Sequence, residues 1–102
     1  MSFGSQVSAV VRNTNIHDTL LGLLADASTG PCSVVLNSSS VSHNTTGIQT
    51  GSGFPSVWLS GDTVTLNGTG LRVFGGTITS LGNNLISFNG IDGSPSTTQS
   101  LR

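Results

Sequence analysis

One stretch of this chain occurs twice, the second time 23 residues after the first. Residues 33–48 and residues 56–71 share the pattern Ser-Val-x-Leu followed by Val-x-x-Asn-x-x-Gly-Ile/Leu. Self-similarity at a fixed period of about 20 to 50 residues is typical of solenoids, in which a repeat buries its apolar face only by stacking on its neighbours. The repeat therefore indicates a stacked architecture.

Weaker copies of the pattern lie on both sides. Residues 16–23 match residues 41–48 at a shift of 25, with Thr19 in place of the asparagine, and residues 86–90 match residues 64–68 at a shift of 22. We therefore predict a single domain, residues 1–102, with coils at about 7–31, 32–55, 56–76 and 77–94 and a polar tail at 95–102, in which Leu101 is a candidate cap for the open end.

A short helix is the alternative for part of the first coil. Asp18 could act as the N-cap of a helix over residues 19–27, because the four leucines there do not alternate strictly. Against this, Gly22 falls on the glycine position of the repeat, and residues 28–31 supply a turn before the next strand. The repeat favours a first coil.

The repeat of 22 to 25 residues is too short for two helices and lacks the leucine lattice of leucine-rich repeats, so we predict an all-β parallel β-helix. The motif Val-x-x-Asn-x-x-Gly-Ile/Leu at 41–48 and 64–71 resembles the coil motif of bacterial right-handed parallel β-helix proteins of the pectin-lyase-like class. The resemblance covers about residues 7–94 and implies a single-stranded right-handed β-solenoid. It implies little about activity, because that architecture hosts lyases, hydrolases, adhesins and tailspikes.

Stacked coils place equivalent residues about 4.8 Å apart, so that like residues form rows. Asn44, Asn67 and Asn89 are expected to form one such ladder, at a turn where asparagine tolerates a left-handed backbone and its amide bonds to adjacent coils. The glycines of the motif are expected to need a backbone conformation that a side chain would hinder, at positions 22, 47 and 70. Alternation by two predicts these inward residues: Val11, Ile16, Leu23, Val34, Leu36, Val41, Ile48, Val57, Leu59, Val64, Leu71, Val73, Ile78 and Ile86.

The same alternation points several large apolar residues toward solvent. They are Val10, Val35 and Trp58 on one outer row, Leu66 and Phe88 on another, and Phe74 and Leu85 at outward or turn positions. A contiguous apolar patch usually marks an interface, and 7% charged residues with a formal net charge of -1 give little repulsion between copies. Because a short stack also exposes unpaired strand edges, we expect a homo-oligomer.

The sequence offers few catalytic candidates. No two of the four aspartates share a row in adjacent coils, so the clustered carboxylates that the resemblance implies for polysaccharide-cleaving β-helices are not matched, and no metal or cofactor is expected. The sharpest polar pair is Asp18 and His43, which share a row in neighbouring coils with Arg12 nearby; a carboxylate that orients a histidine is the beginning of a general base. Trp58 could anchor an interface or stack on a sugar ring.

The preferred hypothesis is a non-catalytic β-helix module that self-associates through an outward apolar face, with its ligand unknown. The alternative is a carbohydrate-binding or polysaccharide-cleaving remnant that uses Trp58 with Asp18 and His43. A third interpretation is a fragment of a larger exported β-helix whose other coils held the site.

Charge and patterning exclude other classes of partner. Three arginines against four aspartates, without lysine or glutamate, leave no basic patch for nucleic acid or an anionic membrane. Neither a signal peptide nor a membrane-spanning run is visible, which predicts a cytoplasmic protein as written, or else an excised part of an exported one. Cys32, the only cysteine, is expected to be an apolar filler before a strand.

Overall fold

The computed structural model describes residues 1–98, and every regular element within them is a β-strand. The strands are β1 (Ser2–Phe3), β2 (Val7–Arg12), β3 (Asn15–His17), β4 (Leu21–Ala25), β5 (Cys32–Asn37), β6 (Ser40–Ser42), β7 (Thr46–Thr50), β8 (Ser56–Ser60), β9 (Thr63–Thr65), β10 (Thr69–Val73), β11 (Thr77–Ser80), β12 (Leu85–Ile86) and β13 (Thr97–Thr98). Across the same residues, no helix long and apolar enough to cross a membrane is present.

The strands form three parallel sheets that run along the stack. The first sheet has the order β13-β11-β8-β5-β2, the second β12-β9-β6-β3 and the third β1-β4-β7-β10. Each of the first three coils gives one strand to each sheet, whereas the fourth gives only β11 and β12. The chain is a β-solenoid of about four turns, and the predicted all-β fold class is confirmed.

The repeat sets the register of the coils. Val34 pairs with Val57, and Val57 pairs with Ile78, and all three side chains are 0% exposed. Their neighbours alternate between the interior and the surface, as expected for strands with one buried face. The buried apolar core consists of Ile16, Leu23, Ala25, Ala27, Cys32, Val34, Leu36, Val41, Ile48, Val57, Leu59, Val64, Leu71 and Ile78.

The inward-facing row of the third sheet is left exposed at its last strand, β10. Val73 aligns with Thr50, which is 0% exposed, but Val73 itself is 40% exposed. Within residues 1–98, the fourth coil has no third strand, and its backbone pairs with β10 only as far as Leu71, whose N–H donates to the carbonyl of Asp92 at 3.0 Å. Val73 therefore continues an inward row without being buried, contrary to the sequence prediction.

The motif glycines are required by close approach between coils. A Cβ on Gly22 would lie 2.5 Å from the carbonyl oxygen of Gly47, and a Cβ on Gly47 would lie 2.7 Å from that of Gly70. None of these three glycines has a positive φ. The expected hindrance is present, but it comes from the next coil and not from an unusual glycine conformation.

The two ends of the chain extend the stack. The first coil contains β4 where the helix was the alternative, and β4 pairs with both β1 and β7. Within the tail, β13 pairs in parallel with β11. Residues 99–102, and with them the proposed cap at Leu101, lie outside the described residues.

Candidate functional site

A ladder of amides lies at the corner between the second and third sheets. Asn44 Oδ1 accepts hydrogen bonds from the N–H and hydroxyl of Thr19, at 3.0 and 2.8 Å. Asn67 Oδ1 accepts from the backbone N and Nδ2 of Asn44, both at 3.0 Å. Asn89 Oδ1 does the same for Asn67 at 2.9 Å, and Asp92 ends the ladder by accepting from Asn89 at 3.0 Å. These asparagines join adjacent coils, and within residues 1–98 their amide groups are used in hydrogen bonds of the stack.

The residue before each ladder position has a left-handed backbone. Its φ is +59° at Asp18, +57° at His43, +60° at Leu66 and +59° at Phe88, and we call these four residues the left-handed row. The expectation that the ladder asparagines themselves take this conformation is wrong, because the positive φ falls on the residue before each of them. Aspartate and histidine are enriched at positive φ, whereas a bulky apolar residue there is an outlier.

The predicted polar pair does not form a hydrogen bond. Asp18 and His43 line one open groove of about 750 Å³ together with Thr45 and Leu66. Yet Asp18 Oδ2 lies 2.7 Å from Nδ1 of His17, and no hydrogen bond joins Asp18 to His43 within residues 1–98. Because His17 and Asp18 are both exposed, their pairing contributes little to stability.

Four large apolar side chains of the last two coils are exposed: Leu66 and Phe88 belong to the left-handed row, and Leu85 and Ile91 lie three residues before and after Phe88. Their exposed fractions are 55% for Leu66, 50% for Leu85, 74% for Phe88 and 66% for Ile91, and we call this set the apolar corner. The alternation of the sequence predicts outward or turn positions for the first three. Ile91 was missed because it follows the last clear repeat, where it pairs with Thr69 through an isolated bridge.

The other predicted interface residues lie elsewhere. Val10 pairs with Val35, and Val35 with Trp58, so the three form one outer row on the first sheet. Val10 is 58% exposed, but Val35 and Trp58 are half-buried. Phe74 lies after β10, near the corner between the third and first sheets. The seven predicted residues are therefore spread over three surfaces.

A second polar ladder, at the corner between the first and second sheets, was not predicted. Thr14 N donates to Ser39 Oγ at 3.2 Å, Ser39 N donates to Asp62 Oδ1 at 2.9 Å, and Asp62 N donates to Asn84 Oδ1 at 2.7 Å. The four residue types differ, so no repeated letter marks the row. The sequence feature that could have revealed this row is the spacing of 25, 23 and 22 residues between side chains that can all accept a hydrogen bond from a backbone N–H.

Asp62 is the one charged residue of that ladder. Its side chain is 2% exposed, and its Oδ2 accepts a second hydrogen bond from Ser60 N at 3.0 Å. Burial raises the pKa of Asp62 to about 6, with the hydrogen bonds from Ser39 and Ser60 acting in the opposite direction. Asp62 is thus a titratable structural residue.

The remaining reactive side chains are dispersed. Within residues 1–98, no group of three or more histidine, cysteine or acidic residues could hold a metal ion. Cys32 is buried in the core. Asp26 Oδ1 accepts a hydrogen bond from Ser28 N at 3.1 Å, which is a local turn contact.

Comparison of the chain with protein-family models, with curated proteins and with solved structures finds no match in any of the three.

Proposed function

We propose that this chain is a non-catalytic β-helix module that associates with further copies of itself through the apolar corner. The observation that carries the proposal is that Leu66 and Phe88 combine a left-handed backbone with exposure of 55% and 74%. Each feature is unfavourable for an isolated molecule.

A left-handed backbone costs a residue with a side chain roughly 1–2 kcal/mol, and glycine or asparagine would lower that cost. Asp18 and His43 adopt the same backbone with polar side chains that water solvates. Leu66 and Phe88 gain nothing comparable from water. Full burial against a second copy would stabilise each by about 1.5–3 kcal/mol, which offsets the conformational cost.

The open end of the stack also favours association with a second copy. Within residues 1–98, β10 has no pairing strand from the fourth coil beyond Leu71, and Val73 is 40% exposed there. An unpaired strand edge promotes association with another chain. Because the net charge is -1, electrostatic repulsion between two copies is weak.

Membership of the pectin-lyase-like β-helix class is part of this proposal. It is supported by the coil motif at 41–48 and 64–71 and by the four-turn solenoid. A polysaccharide-cleaving site built from Trp58, Asp18 and His43 has less support, because Trp58 lies on the first sheet whereas the other two residues lie at the corner between the second and third.

Sedimentation velocity over a range of concentrations tests the proposal. We expect the wild-type chain to self-associate and the double variant Leu66→Asn/Phe88→Asn to stay monomeric with an unchanged circular dichroism spectrum. Val10→Thr, which replaces a methyl group by a hydroxyl on a similarly exposed side chain of the first sheet, should associate as the wild type does. A wild-type chain that is monomeric throughout, or a double variant that still associates, contradicts the proposal.

A further inference from the structure

A second groove, at the corner between the third and first sheets, shares no residue with the apolar corner. Its volume is about 560 Å³. Its walls carry an aromatic ring, a carboxylate and an amide, and its floor is glycine-rich. The lining residues that matter here are Asp26, Gln49, Gly51, Gly53, Phe74 and Gly75.

The strand register explains the shape of this groove. The strands β4, β7 and β10 end side by side, and the next residues are Asp26, Gly51 and Phe74 in coils one, two and three. Two strand spacings, about 10 Å, therefore separate the backbone of Asp26 from that of Phe74. Because the residue between them is glycine, a slot one coil wide stays open between the carboxylate and the ring.

The floor of the slot is bare backbone. A Cβ on Gly51 would lie 3.4 Å from Asp26 Cγ, in ordinary contact, so a side chain there would fill the slot without a clash. A Cβ on Gly75 would lie only 2.7 Å from the carbonyl oxygen of Gly51 and 2.8 Å from that of Gly53, so no side chain fits deeper in the floor.

The walls can recognise a ring that carries hydroxyl groups. Asp26 uses Oδ1 for Ser28, which leaves Oδ2 for a ligand. The amide of Gln49 makes no hydrogen bond within residues 1–98 and is half-buried beside the slot. Phe74 is 64% exposed, and the guanidinium of Arg72 lies 4.7 Å from its ring centroid. Arg72 does not line the groove, so its guanidinium packs on the Phe74 ring without occupying the slot.

The geometry points to a binding site for one neutral pyranose ring in this slot. The apolar C–H face of the sugar contacts Phe74, its hydroxyls donate to Asp26 Oδ2, and Gln49 exchanges hydrogen bonds with an adjacent hydroxyl. This combination of an aromatic wall with a few placed polar groups is usual for small-molecule sites. An acidic sugar is disfavoured, because Asp26 is, within residues 1–98, the one charged residue that lines the slot and Arg72 lies outside it. The proposal stands independently of self-association.

Titration of ¹⁵N-labelled protein, followed by two-dimensional NMR, tests this site. The neutral probes are cellohexaose and mannohexaose, and trigalacturonic acid is the acidic contrast. We expect a neutral probe to shift the amides of Gly51, Gly53 and Gly75, with trigalacturonic acid causing smaller shifts. Phe74→Ala should weaken binding at least about tenfold by removing the ring contact. Gly51→Ala should do the same by filling the slot while leaving the spectrum of the rest of the chain unchanged.

Phe88→Ala is the matched control, because it removes a similarly exposed ring from the apolar corner. It should bind the neutral probe as the wild type does, even though it weakens self-association, which separates the two proposals. Absence of amide shifts with both neutral probes overturns the site. Retention of wild-type affinity in Gly51→Ala or Phe74→Ala overturns it equally.

Discussion

The first two and the last two coils share one corner backbone but differ in the side chains it presents. The left-handed row has φ between +57° and +60° in all four coils. Asp18 and His43 occupy it in the first half, and both suit that conformation and water. Leu66 and Phe88 occupy it in the second half and suit neither. The backbone of the row thus follows from the stack, whereas its side chains differ between the halves, and the proposed association rests on that difference.

The asparagine ladder behind the row explains why this variation is tolerated. Asn44 and Asn67 are 4% and 3% exposed, and each ties its coil to the next through paired hydrogen bonds. Because the ladder holds the turn from inside, the residue in front of it can be polar or apolar without changing the fold. Four predictions test or refine this difference between the halves.

The largest expected effect is at the interior of the ladder. Asn67→Ala leaves the backbone N of Asn44 without an acceptor and removes one hydrogen bond each from Asn44 Nδ2, which keeps Ile16 O, and from Val41 O. We therefore expect the free energy of unfolding to fall by about 3–4 kcal/mol. Asn89→Ala should cost about half as much, because Asn89 is less buried and water can replace it. Urea unfolding measures both, and equal losses would show that the end of the stack is as dependent on the ladder as its middle.

The second prediction concerns pH. The pKa of Asp62 is raised from 3.8 to about 6 in the folded chain, so the folded state binds this proton more tightly than the unfolded state does. The free energy of unfolding should therefore be greatest below about pH 4 and fall as the pH rises to about 6, by about 2–3 kcal/mol from this residue.

Asp62→Asn is the control for that pH dependence. Asn84 already occupies the equivalent place in the fourth coil, where its Nδ2 donates to Leu59 O at 2.8 Å. The variant should lose the part of the pH dependence that lies between pH 4 and 6. A wild-type protein that grows more stable over this interval, relative to the variant, would show that the hydrogen bonds from Ser39 and Ser60 outweigh burial.

The third prediction exchanges the two halves of the left-handed row. Leu66→Asn should raise the free energy of unfolding of the monomer by about 1–2 kcal/mol while weakening self-association, because asparagine tolerates this backbone. His43→Leu should have the opposite effects, lowering monomer stability and extending the apolar corner into the second coil. Thermal unfolding of dilute protein, combined with sedimentation, separates the two quantities. Loss of stability in Leu66→Asn would mean that the leucine packs within its own chain.

The smallest effect is expected at an inward position. Thr50 Oγ1 is buried and has no hydrogen-bond partner within residues 1–98, whereas the equivalent residue of the third coil is Val73. Thr50→Val removes the unpaired hydroxyl at nearly constant shape and should raise the free energy of unfolding by about 1 kcal/mol. Val73→Thr, made at the exposed end of the row, should change stability less. Destabilisation by Thr50→Val would indicate a partner for the hydroxyl.

Similar side chains made much of the fold predictable. The copies at 33–48 and 56–71 pair in register, and Asn44, Asn67 and Asn89 bond to one another as their spacing suggested. Rows of unlike residues were not predictable in the same way. The ladder that contains Asp62 and the slot between Asp26 and Phe74 are each formed by residues of different types. Comparison of residue types between repeats therefore does not reveal them.

The amino-acid sequence by itself determined the period, the stacking of coils and the identity of most core residues, because a repeated alternation of apolar residues can be buried only by repeats in register. Only the tertiary structure decided which residue of the turn has a left-handed backbone and that the last coil leaves Val73 uncovered. It also decided that Asp18 pairs with His17 and not with His43. These depend on contacts between coils that are distant in sequence, where a shift of one residue changes the partner while the pattern within each coil stays the same.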